Sequence, residues 1–200
     1  MIPRDHAHEL ATLTGLLTAE GWEEMDLELG GSEVLRMLTG VSLRLLASPG
    51  RQILLTAIWR EEKASTSIVR LDGSDPRAAL WHVEATDMPV VILYATCRAA
   101  VAGPSGTGPI ACLRAAGWLQ GPVLGTEYGT RALIFDDPDT VRWASAQYRR
   151  HDGRLQRGPW IISRADVATS GGERAHAHTD ASAPGAVIAA LALTDDADPA

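Results

Sequence analysis

Two cysteines in 200 residues are too few to staple a chain of this size. Cys97 and Cys112 also fall inside apolar helical patterns, so both are expected to be reduced and buried. Lysine is nearly missing, with Lys63 alone. Arginine therefore carries almost all the positive charge, and its abundance is not in itself an argument for guanidinium chemistry. No apolar run approaches the ~20 residues of a membrane helix, and the start, MIPRDHAHEL, lacks a basic segment followed by an apolar one. Neither a membrane nor export is expected, and the cytoplasm is the natural location. The formal net charge of −7 works against unspecific attraction to a polyanion, leaving room only for a local basic patch.

Catalytic signatures are missing too. No Gly-x-Ser-x-Gly or Cys/His motif occurs in a strand-to-helix context. The glycine-rich Gly103–Gly108 is followed by Pro109 and Ile110, where a phosphate loop needs Lys and Ser or Thr, so it reads as a linker. The expectation is a non-enzyme without a cofactor.

What is present is a folded chain, 46% hydrophobic and 22% charged. Leu10, Leu13, Leu16 and Leu17 recur at helical spacing and stop at Gly21-Trp22. Between Glu23 and Gly40 the pattern is mixed, with a Gly30-Gly31 turn and a possible strand at Glu33–Leu38. Strands follow at Val41–Ala47, Gln52–Trp59, Thr66–Leu71 and Ala79–Ala85, with a turn at Ser48-Pro49-Gly50-Arg51. Asp87 as N-cap and Pro89 in the first turn predict a helix over Val90–Val101. After the linker the order starts again. Gly117-Trp118 echoes Gly21-Trp22, Asp137-Pro138-Asp139-Thr140 echoes the first turn, and Ser182 with Pro184 opens a last helix to Leu193. The period is about 95 residues, as a duplication would give.

A Gly-Trp after a helix, a Ser-Pro-Asp-like turn between strands, a late-strand Trp81 and a helix opened by Pro resemble the SPDY-motif domain, a repeat of unknown function in high-GC Gram-positive bacteria that often occurs in tandem. Ala175 stands where Trp81 stood in the first copy. The resemblance implies a first unit over 4–102, a linker over 103–109, a second unit over 110–193 and an acidic, disordered tail over 194–200. It brings no binding or catalytic residues with it. The expected fold is α+β: a tandem, pseudo-twofold repeat of a four-stranded antiparallel sheet plus helix. Such pairs resemble the PUR and Whirly single-strand binders in outline, which is an analogy of fold and not of function.

The one dense local chemistry lies in the second unit. Arg142, Trp143, Tyr148, Arg149, Arg150, Arg154, Arg157 and Trp160 crowd two extended segments in which Asp152 is the single acid. On a strand, Trp143 and Tyr148 point to opposite faces, so at least one aromatic lies away from the core among guanidinium groups, the layout with which single-strand binders stack bases and hold phosphates. Single-stranded DNA is the partner this implies. A protein partner is the alternative, because Trp and Arg also anchor protein interfaces. The pairs His6-Ala7-His8 and His176-Ala177-His178 have the i, i+2 spacing that places two imidazoles on one face of a strand, able to chelate zinc. Asp180 or His6 could approach the second pair, but nothing in the sequence fixes a third ligand, and no metal residue is assigned.

Overall fold

The computed structural model describes residues 5–25, 41–60, 63–73, 75, 78–103, 106–125, 130–138, 142–152, 154–165 and 174–195. The strands, in chain order, are β1 (Glu23–Glu24), β2 (Ser42–Ala47), β3 (Ile53–Arg60), β4 (Lys63–Leu71), β5 (Ala79–Thr86), β6 (Leu119–Gly125), β7 (Thr130–Asp136), β8 (Arg142–His151), β9 (Arg154–Ala165) and β10 (Arg174–Thr179). The helices are α1 (His6–Ala19), α2 (Val90–Ala102), α3 (Pro109–Ala115) and α4 (Gly185–Leu193). None of them is long and apolar enough to cross a membrane.

Among the described residues the strands form one antiparallel sheet of ten, ordered β1-β2-β3-β4-β5-β10-β9-β8-β7-β6. This corrects the expected pair of four-stranded sheets, each with its own helix, and the outline analogy drawn from it. The physical reason lies at the seam. As separate sheets, the two halves would leave the last strand of each with a row of open backbone donors and acceptors. Instead β5 and β10 pair with each other, from His176 opposite Thr86 to Thr179 opposite Val83. The core then runs unbroken across the joint through Trp81, Val83, Ala85, Ala177 and Thr179, all buried. The Gly-Trp segments also each lead into an additional edge strand, β1 and β6, which the periodicity did not reveal.

Alternation along the inner strands buries one face, while the edge strands β1 and β6 stay largely exposed. Ile53, Leu55, Ala57 and Trp59 of β3 are buried, while Leu54, Thr56 and Ile58 between them are half-exposed. On the covered face α1 packs on β3 and α2, α2 on β3 and α4, and α4 on β8, β9 and α3. The α2–α4 contact is the helix pairing that their apolar, alanine-rich sequences seek. Gly185 makes the α3–α4 approach possible: a Cβ there would lie 2.9 Å from the Thr107 carbonyl oxygen and 3.0 Å from Pro109.

The helix starts differ from expectation. Asp5 caps α1, accepting from the His8 amide at 3.1 Å. Asp87 does not cap α2. It takes a left-handed φ of 52° and accepts the Ala64 amide of β4 at 2.8 Å, and α2 opens at Pro89 without a side-chain cap. Ser182 likewise turns to the sheet, donating to the Leu80 carbonyl at 2.9 Å. A capping side chain was thus spent on joining strands. The expected strand at Glu33–Leu38, the Gly30-Gly31 turn, and residues 104–105 of the linker lie outside the described residues. Within the expected tail, Asp195 meets Arg142, and 196–200 lie outside the described residues.

Candidate functional site

The arginine-aromatic stretch is the β8–β9 hairpin, and the structure divides its residues into three groups. Trp160 belongs to the core: it is 1% exposed and stacked against Phe135, ring centroids 6.3 Å apart. Arg142 closes the β7–β8 turn. Its Nε and Nη2 reach Asp137 Oδ2 at 2.8 and 2.6 Å, and its Nη1 reaches Asp195 at 3.1 Å. Arg164, 2% exposed and opposite Arg142 across the strands, donates to the carbonyls of Leu191, Ala192 and Thr194 at the end of α4. These three side chains hold the fold together and are not displayed to a partner.

The second group is at the hairpin tip. Tyr148 packs against the edge of the core while remaining partly exposed. Its cross-strand partners are Arg131 of β7 and Arg157 of β9, both exposed. Directly opposed residues share a face with Cβ atoms about 5 Å apart, so the two arginines stand on either side of Tyr148 in the register. Arg131 was not among the residues singled out from sequence, because only the pairing of β7 with β8 brings it there. Arg149 and Arg154 project exposed from the opposite face. Arg150 lies on β8, its side chain outside the described residues. A register shift between Ala146 and Tyr148 brings Gly158 so close to β8 that a Cβ there would meet the Gln147 carbonyl oxygen at 3.1 Å. The extra residue on β9 brings Arg157, rather than Gly158, opposite Tyr148.

Trp143 lies on the face that none of the described helices covers, half-buried beside Ser163 and Asp136. Trp143 and Tyr148 do point to opposite faces, as their spacing requires. The uncovered face carries further half-buried apolar side chains: Leu43, Leu45, Leu54, Ile58 and Val69 in the first half, Ile134 and Ile161 in the second.

At the centre of that face, on the β5–β10 seam, lies a depression of about 490 Å³ lined by His82, Glu84, Thr86, Pro159, His176, His178, Thr179 and Asp180. Asp180 is fixed from two directions: its Oδ2 accepts the His82 amide at 2.8 Å, and its Oδ1, 3.0 Å from the Ser182 hydroxyl, shares that single donor with the Leu80 carbonyl. The same Oδ2 lies 3.4 Å from His82 Nδ1, and His82 Nε2 lies 3.6 Å from Glu84 Oε1. The sequence places His82 and Glu84 at the positions matching His176 and His178 and turns all four outward. It does not show that the two strands are neighbours.

Elsewhere, burial and the nearby Glu20 carboxylate push the Cys97 thiol far above its usual range, so it is inert core. Compared with protein-family models, curated proteins and solved structures, the chain matches none.

Proposed function

We propose that this is a non-catalytic binding protein, related to the SPDY-motif repeats and working in the cytoplasm, whose β8–β9 hairpin engages single-stranded nucleic acid. The observation that carries the reading is the row Arg131–Tyr148–Arg157 across three neighbouring strands. A base stacked on an aromatic ring contributes about 1–3 kcal/mol, and flanking guanidinium groups meet the phosphates on either side. Arg149 and Arg154 add charge from the other face of the same tip. Trp143 stands further along that face. Arg142 and Trp160 drop out of the binding surface, engaged as they are in the fold.

The test is fluorescence anisotropy of labelled single- and double-stranded oligonucleotides at low and moderate salt, with Arg149→Ala/Arg157→Ala beside the parent. Neutralising about three phosphates of a single strand gives a slope near −2 in log affinity against log salt. Single-strand binding with such a slope, lost in the double variant, is the expected result. No binding at low salt sinks the reading.

A protein partner is the second reading, favoured by the half-buried apolar side chains on the uncovered face. An interface centred on Trp143 and Ile161 would hold with little salt dependence and would weaken in Trp143→Ala. Hydrogen exchange on the chain with and without a captured partner tests it. Protection confined to the hairpin tip, sparing β4, β5 and β8, counts against it.

A further inference from the structure

The depression on the seam is independent of the hairpin and combines three imidazoles with two carboxylates on two paired strands. Its residues form a ladder. His178 stands directly opposite Glu84, and His176 opposite Thr86. Asp180 and His82 close the next rung through the Asp180 amide donating to the His82 carbonyl at 3.1 Å and the His82 amide donating back to the carboxylate.

Two features go beyond a random collection of polar side chains. His82 is oriented from behind. A carboxylate held in place by two other hydrogen bonds faces its Nδ1, which directs Nε2 outward as the available donor, and this is how ligating histidines are commonly set. In front of Nε2 stands Glu84 Oε1 at 3.6 Å. Ligands bonded at about 2.0–2.1 Å in tetrahedral geometry lie roughly 3.4 Å from each other, so this pair already has the separation of two ligands sharing an ion.

We propose that the β5–β10 seam is a binding site for a divalent transition-metal ion of the zinc class, held by His82 Nε2, the Glu84 carboxylate and His178, with Asp180 positioning His82. As the side chains stand, no three donors among the described residues converge on one point. His178 completes the set. It is exposed, directly across from Glu84, and a change of rotamer carries its ring toward the ion without moving the sheet. Two imidazoles and one carboxylate are a donor set that zinc accepts, and three protein ligands leave a fourth position for water or a ligand atom. The site also joins the two halves of the chain, since His82 and Glu84 come from the first and His178 and Asp180 from the second.

The experiment uses the full chain, treated with EDTA and desalted, and titrated with Co²⁺ followed by visible absorption, then with Zn²⁺ against a chromophoric chelator. Expected is one ion per chain, with Zn²⁺ displacing Co²⁺. His178→Ala and Glu84→Gln should each weaken binding at least tenfold. Asp180→Asn, which keeps an acceptor for the His82 amide, should weaken it about tenfold, the usual size of an outer-shell effect. His8→Ala, on α1, should change nothing. His178 is exposed, so its replacement leaves the fold intact, and a circular-dichroism melt confirms this for each variant. Binding that persists unchanged in His178→Ala, or that is lost in His8→Ala, overturns the proposal, as does the absence of any saturable binding.

Discussion

Replacing Arg164 by methionine tests whether the arginine-rich stretch is partly internal scaffolding. The guanidinium is buried and donates from Nη1 to Leu191 O at 3.1 Å and Ala192 O at 3.4 Å, and from Nη2 to Thr194 O at 2.6 Å. Those carbonyls lie at the end of α4, where a helix has no amide donors of its own left to satisfy them, and a cation there also meets the negative end of the helix. Methionine keeps most of the stem's volume, so the loss is mainly polar. A hydrogen bond to a charged group contributes about 1.5–3 kcal/mol net, and each buried carbonyl left without a donor costs about 1–3 kcal/mol. Water can reach the Thr194 end, which leaves two carbonyls to count, for roughly 3–5 kcal/mol in total. For a chain of this length that lowers Tm by about 10 °C. Arg164→Lys should fall between parent and Met variant, because one ammonium cannot match the planar fork at all three oxygens. The assay is thermal and urea unfolding followed by circular dichroism. A Met variant that melts within about 2 °C of the parent would refute the capping argument.

Gly185→Ala should destabilise by about 1–3 kcal/mol, read from the urea midpoint, because the new methyl meets backbone at Thr107 and the ring of Pro109 and cannot be relieved by a side-chain rotation. Thiol titration of the native protein should count one fast group, the half-exposed Cys112, and two groups only after denaturation, when the fully buried Cys97 is released. The Tyr94 hydroxyl donates to Glu20 Oε1 at 2.6 Å, and this bond, with burial and the carboxylate's charge adding to it, raises the phenol above its usual range. A group raised on folding contributes stability fully below its unfolded value, so the Tm difference between parent and Tyr94→Phe should be constant to about pH 10 and shrink above it.

Local order was legible where it depends on neighbours in the chain. The helix after Pro89, the Ser48–Arg51 turn, and the outward placement of His82, Glu84, His176 and His178 all follow from periodicity and turn chemistry. Capping side chains were misjudged at Asp87 and Ser182, since an Asp or Ser before a helix can as well tie strand ends together, and the choice depends on which strand lies alongside. The basic stretch was legible as a composition and not as a surface. Arg142, Arg164 and Trp160 look like Arg149 and Tyr148 in the sequence, yet they face Asp137, the end of α4 and Phe135.

The sequence by itself determined most of the elements, though not the edge strands β1 and β6, and along the strands it revealed the face each residue takes, because strand alternation and helix periodicity are properties of a few consecutive residues. It also determined that two similar runs of strands follow one another. Only the tertiary structure decided that these runs share one sheet, since pairing β5 with β10 is a contact between segments about 90 residues apart that no local pattern encodes. That pairing sets His178 opposite Glu84 and Asp180 behind His82, and the pairing of β7, β8 and β9 sets Arg131 and Arg157 on either side of Tyr148. Each candidate site is built across strands, and strand adjacency is decided by which open edges and apolar faces the whole chain must cover.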